Sequence, residues 1–141
     1  MRQGGGLMSQ GEQTMLALRV RLDLDALLRG RATWALDDLA GALNVAQLLA
    51  EQRQKSLLPI VRRAQDEVLR AHARLLDGLD PERPDSVGAE ALVRSVELYE
   101  SALRFRPRLE LARLFAEVLR RLESGRVARV VRATGPQSVP A

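Results

Sequence analysis

The longest apolar pattern in the chain runs from Thr33 to Glu51. Leu36, Leu39, Leu43, Ala46 and Ala50 recur at steps of three and four, the period of a helix. Ala42, Val45, Leu48 and Leu49 widen this stripe until only Asp37, Gly41, Asn44 and Glu51 remain as a narrow polar strip. A helix apolar on nearly every side is a central helix with partners on several faces. Thr33 stands where an N-cap is expected, and Asp37 and Asp38 suit the positive end of the helix dipole. The band is wider than one neighbour covers. Trp34, Val45, Leu48 and Leu49 are therefore the candidate interface residues, and a second copy of the chain is the expected partner.

Four further segments read as helices. Between Gly11 and Arg29, Leu16, Leu18, Val20, Leu22 and Leu24 alternate with other residues, as in a strand. The Leu, Ala and Arg content and the continuation through Leu27 and Leu28 favour a helix, with a two-strand pairing to Val127–Val131 as the alternative. Gly30 is placed to end it. Pro59 fits the first turn of the next helix, where Ile60, Val61, Ala64, Val68, Ala71, His72 and Leu75 make an amphipathic stripe that Gly78 stops. The stretch 79–88, with Pro81 and Pro84, reads as a loop. A fourth helix is expected over 87–105, through Leu92, Val96, Tyr99 and Leu103. Pro107 opens a fifth, with Leu111, Leu114, Phe115, Val118 and Leu122 facing inward and Gly125 as its cap.

This predicts an all-α protein, an antiparallel bundle of about five helices. The expected core includes Leu39, Leu43, Val68, Leu92, Val96, Phe115 and Val118. Residues 11–132 form the single helical domain. Gly-rich residues 1–10 and the tail 133–141 are expected to be disordered. The 141 residues suffice for one real core. Aromatics are 3% of the chain, so that core is Leu, Ala and Val packing.

Charge and rare residues narrow the chemistry. The chain has no Cys, hence no disulfide and no thiolate metal site, which fits a cytoplasmic protein. It has no apolar run long enough for a bilayer and no signal-peptide apolar region. His72 is the only His, too little for a zinc site, and with no Cys and no nucleophile motif around the few Ser and Thr residues a triad has no nucleophile. Asp23/Asp25, Asp37/Asp38 and Asp66/Glu67 are close pairs that diverge around a helix, so they read as solvated faces. Asp77, Asp80, Glu82 and Asp85 cluster in the loop but miss the calcium-loop spacing. No catalytic, metal or cofactor-binding residue is expected, and the reading is non-enzymatic.

The net charge of +4 is concentrated near the C-terminus. Arg104, Arg106, Arg108, Arg113, Arg120, Arg121, Arg126, Arg129 and Arg132 face only Glu110, Glu117 and Glu123 in the same stretch. These arginines are the candidate nucleic-acid contacts, able to neutralise phosphates of duplex DNA. The competing reading pairs them with the three glutamates on one solvated surface. Scarce aromatics argue against single-strand binding.

The pattern Leu36-x-x-Leu39-Ala40-x-Ala42-Leu43-Asn44-Val45-Ala46, followed by Leu49-Ala50-Glu51, resembles small phage and prophage proteins of high-GC bacteria. These are often labelled "Fis family transcriptional regulator". The resemblance continues through Ala64-Gln65-Asp66, Ala71-His72-Ala73-Arg74, Val96-Glu97-Leu98-Tyr99-Glu100 and Arg120-Arg121-Leu122, about two-thirds of the chain. The sequence departs from that pattern at residues 79–88. The resemblance implies a bacterial host cell as the setting and supplies no mechanism; the functional expectation is an accessory protein acting through contacts with an unknown host or phage protein. The label implies DNA binding. Leu39-Ala40-x-x-Leu43-Asn44-Val45 does echo the start of a helix-turn-helix. Leu48 and Leu49 would then occupy base-reading positions, which demand polar side chains. An uninterrupted core helix is the expectation here.

Overall fold

The structure, a computed structural model, describes residues 9–31 and 36–125. Five helices follow one another: α1 (Gln10–Leu28), α2 (Asp37–Arg53), α3 (Leu58–Leu76), α4 (Ser86–Phe105) and α5 (Arg108–Ser124), with a short 3₁₀ turn at Lys55–Leu57. Among the described residues there is no strand, so Leu16 to Leu24 is helical. The expected partner run Val127–Val131 and the expected C-terminal tail lie outside the described residues.

Local chemistry sets the helix ends. α1 begins one residue before the sequence suggests. Ser9 and Glu12 form a capping box, in which Ser9 Oγ accepts from the Glu12 N–H at 3.0 Å and Glu12 Oε1 accepts from the Ser9 N–H at 2.8 Å. Ser9 and Gln10, expected in the disordered segment, are therefore the start of the helix. Gly30 ends α1 at φ 68°, and the Arg31 N–H returns to the Ala26 carbonyl at 2.8 Å. A side chain at Gly30 would also press on the Pro81 carbonyl. Gly78 and Gly125 close α3 and α5 in the same left-handed conformation. Pro59 lies in the first turn of α3, and Pro107 is the cap residue of α5.

The start of α2 departs from the expectation. The helix opens at Asp37, with Leu36 at the cap position and no side-chain cap of its own. Thr33 and Trp34 lie outside the described residues. The capping group comes instead from another helix. Asp23 on α1 is buried, and its Oδ2 accepts from the Leu39 N–H in the first turn of α2 at 3.1 Å. That carboxylate also faces the positive end of the α2 dipole.

α2 is the central element. From Leu39 to Ala50 every residue except Gly41 is buried, and α1, α3, α4 and α5 all pack on it. This corrects the expected interface. Val45, Leu48 and Leu49 are each at most 2% exposed, because the band that looked surplus is covered by four helices of the same chain. α2 also runs unbroken through Asn44, with no left-handed non-Gly residue among those described, so this stretch is not a helix-turn-helix. Of the expected core, Leu39, Leu43, Val68, Leu92, Val96 and Val118 are buried, while Phe115 is half-buried at its edge. Leu122 is exposed instead of inward, because α5 packs on α2 through Leu111, Leu114 and Val118.

Within this core lies a chain of polar contacts. Gln65 Nε2 on α3 donates to Asn44 Oδ1 at 3.2 Å and to Gln47 Oε1 at 3.0 Å, both on α2. Gln47 Nε2 then donates to Glu51 Oε2 at 3.1 Å. Glu51 Oε1 accepts from Arg121 Nη1 at 2.6 Å, which ties α5 to α2. With Val61 against Ala46 and Ala50, these contacts set α2 and α3 antiparallel. Glu67, also buried, lies between Arg63 at 3.1 Å and Arg70 at 3.5 Å. Its carboxylate rests against Gly88 in the first turn of α4.

Candidate functional site

α1 is apolar on two opposite sides. Val20, Leu24 and Leu27 are buried against the bundle. Met15, Leu18 and Leu22 point the other way and are 50%, 50% and 55% exposed. Their spacing of three and four places them in one row along the helix. Water-facing helix surfaces are ordinarily polar, so this exposed apolar row is a candidate contact surface.

Beside α1 lies an open groove of about 760 Å³. Its walls are Leu16 of α1 and Phe115, Leu119 and Leu122 of α5. Its floor includes Gly41 of α2 and Tyr99 of α4. A side chain at Gly41 would meet no atom within 4 Å, so the floor is low there. Burial pushes the Tyr99 hydroxyl well above its ordinary range, reinforced by Asp38 and Glu100, so it stays protonated. Leu119 and Leu122 of this groove are exposed.

The candidate nucleic-acid residues do not form one free strip. Arg120 and Arg121 both hold Glu117, at 2.6 and 2.8 Å, and Arg121 also holds Glu51. Hydrogen bonds from Arg120 and Arg121 draw the Glu117 carboxyl down to about 2, from an ordinary 4.5. Arg106 pairs with Glu110 at 3.0 Å. Arg104 lies over the Phe105 ring, 5.7 Å from its centre. Among the described residues, Arg108 and Arg113 carry no ion pair. Arg126, Arg129 and Arg132 lie outside the described residues, as does the candidate interface residue Trp34.

Other chemistry is sparse. His72 is buried on α3, and its Nδ1 finds no hydrogen-bond partner among the described residues. Among those residues, no three His, Asp or Glu side chains gather in a metal-binding group. No described helix is long and apolar enough to cross a membrane.

The comparisons add no relative. No family model matches the chain, and neither the curated proteins nor the solved structures contain a match. The functional reading therefore rests on the surfaces just described. Sequence reasoning placed the surplus apolar area on α2 and missed the row on α1. The signal was present in Met15, Leu18 and Leu22, masked by the alternation with Leu16, Val20 and Leu24 that reads equally as a strand.

Proposed function

We propose that this protein is a non-enzymatic accessory protein that acts through protein–protein contacts and associates with a second copy of itself. The observation that carries the reading is the exposed Met15–Leu18–Leu22 row on a helix whose opposite face is already buried. A helix apolar on both sides is stable in water when both sides are covered. Two-fold association covers the row with the same row of a partner, the commonest outcome for such a surface. The resemblance of α2 and α3 to phage and prophage proteins supplies the setting, the cytoplasm of a bacterial host. The duplex-DNA reading has less support, because Arg106, Arg120 and Arg121 are already held by glutamates.

Light scattering coupled to size exclusion tests the reading. The native chain is expected at twice its 15.6 kDa mass, and Leu18→Glu with Leu22→Glu at the monomer mass with unchanged helix content. A native chain that stays monomeric at micromolar concentrations would overturn the proposal. So would a double variant that still dimerises.

A further inference from the structure

A second cleft, of about 510 Å³, lies where the α4–α5 junction meets the first turns of α1. It is unlike the apolar groove. Arg104, Arg106 and Arg108 line one side, and Gln10, Gln13 and Thr14 of α1 line the other. Arg108 carries no ion pair among the described residues, and Arg104 lies over the Phe105 ring. Arg106 keeps one partner, Glu110, which does not line the cleft. The one acid in the wall, Glu100, is already taken. Arg21 grips it with two hydrogen bonds, at 2.6 and 2.7 Å. The cleft wall thus carries three guanidinium groups, one of them paired with Glu110 outside it, against one carboxylate that Arg21 already holds, an excess of positive charge in a concave site.

The backbone adds to this charge. α5 begins at the cleft wall with Pro107 as its cap residue, and no side chain caps its first turn. The positive end of its dipole therefore lies at this wall, offset in part by Glu110 in the same first turn. The forked geometry of Arg suits the tetrahedral oxygens of phosphate. The amides of Gln10 and Gln13 offer donors and acceptors for neutral groups attached to it. The volume falls in the range of small-ligand sites.

We propose that this cleft binds a phosphate group, carried by a nucleotide or by a nucleic-acid backbone. The proposal is independent of self-association, since none of its residues belongs to the Met15–Leu18–Leu22 row. Arg104 and Arg108 hold the phosphate oxygens, and Arg106, paired with Glu110, adds positive charge beside them.

Titration calorimetry on the full chain, with sodium pyrophosphate, ATP and a duplex oligonucleotide at matched ionic strength, tests it. Amide NMR spectra are recorded alongside. Pyrophosphate and ATP are expected to bind and to shift the amide signals of Gln10 to Ala17 and of Arg104 to Leu109. Arg104→Gln with Arg108→Gln, both exposed positions, is expected to weaken binding roughly tenfold or more. The control pair Arg53→Gln with Arg62→Gln removes the same charge elsewhere and is expected to leave binding intact. Tighter binding of the duplex than of ATP, lost in the same cleft variant, would assign the phosphate to a nucleic acid. Binding of ATP at least as tight as the duplex would assign it to a nucleotide. No binding of any probe would overturn the proposal, as would equal losses in both variant pairs or shifts confined to residues outside the cleft.

Discussion

Replacing Asp23 with Ala removes the group on which the start of α2 depends. The Leu39 N–H is buried with its residue at 0% exposure, and Asp23 Oδ2 receives it at 3.1 Å. Losing an N-cap costs about 0.5–2 kcal/mol. A buried donor left without a partner costs about 1–3 kcal/mol. The two figures describe the same N–H, so they overlap, and about 2 kcal/mol is the expected loss. For a chain of this size that lowers Tm by roughly 6–8 °C. Asp23→Asn separates the two contributions. It keeps an acceptor of the same shape and loses the charge at the helix end, worth about 0.3–1 kcal/mol. Urea unfolding followed by circular dichroism measures both variants, and hydrogen exchange at the Leu39 amide locates the effect. The reasoning fails if Asp23→Ala stays within about 0.5 kcal/mol of the native chain, below the smallest effect of a lost cap. It fails equally if Asp23→Asn is as damaging as Asp23→Ala.

Other consequences are equally open to measurement. Gly88→Ala would drive a Cβ into the Glu67 carboxylate. The expected loss is about 1–3 kcal/mol, and it should shrink in a Glu67→Ala background, which a double-mutant cycle reads directly. Glu117 titrates in the folded state at about 2, below its ordinary 4.5. Its contribution is thus present above pH 4.5 and lost as pH falls toward 2, and carboxyl NMR should show Arg120→Gln moving its midpoint upward.

The helices were legible because their signals are local. Pro59, Pro107, Gly78 and Gly125 mark ends within a residue or two of those observed, and the Leu92–Val96–Tyr99 spacing gave the buried side of α4. Long-range features were not legible. Thr33 was a sound local choice for a cap, but the group that caps α2 sits sixteen residues before Leu39, on another helix. Val45, Leu48 and Leu49 looked surplus because periodicity reports how much of a helix is apolar, not how many neighbours it has. Leu122 fits the inward spacing of α5, yet the buried residues of α5 are Leu111, Leu114 and Val118. The charge pairs of α5 followed the helical spacing of Glu110 and Glu117, whereas the tie from Arg121 to Glu51 spans 70 residues.

The amides at Asn44, Gln47 and Gln65 have a consequence for how many structures this sequence can adopt. Leu, Val and Ala surfaces are tolerant partners. Slide α3 along α2 by one turn, about 5.4 Å, and most methyl groups find other methyl groups. Gln65 then keeps only one of its two amide partners. Those partners lie one turn apart on α2, so a slip of one turn takes Gln65 away from either Asn44 or Gln47 and leaves that buried amide without it, at about 1–3 kcal/mol. The three polar side chains thus act as an alignment key that penalises near-miss packings more than it strengthens the correct one. Through Glu51 and Arg121, the key extends to the placement of α5.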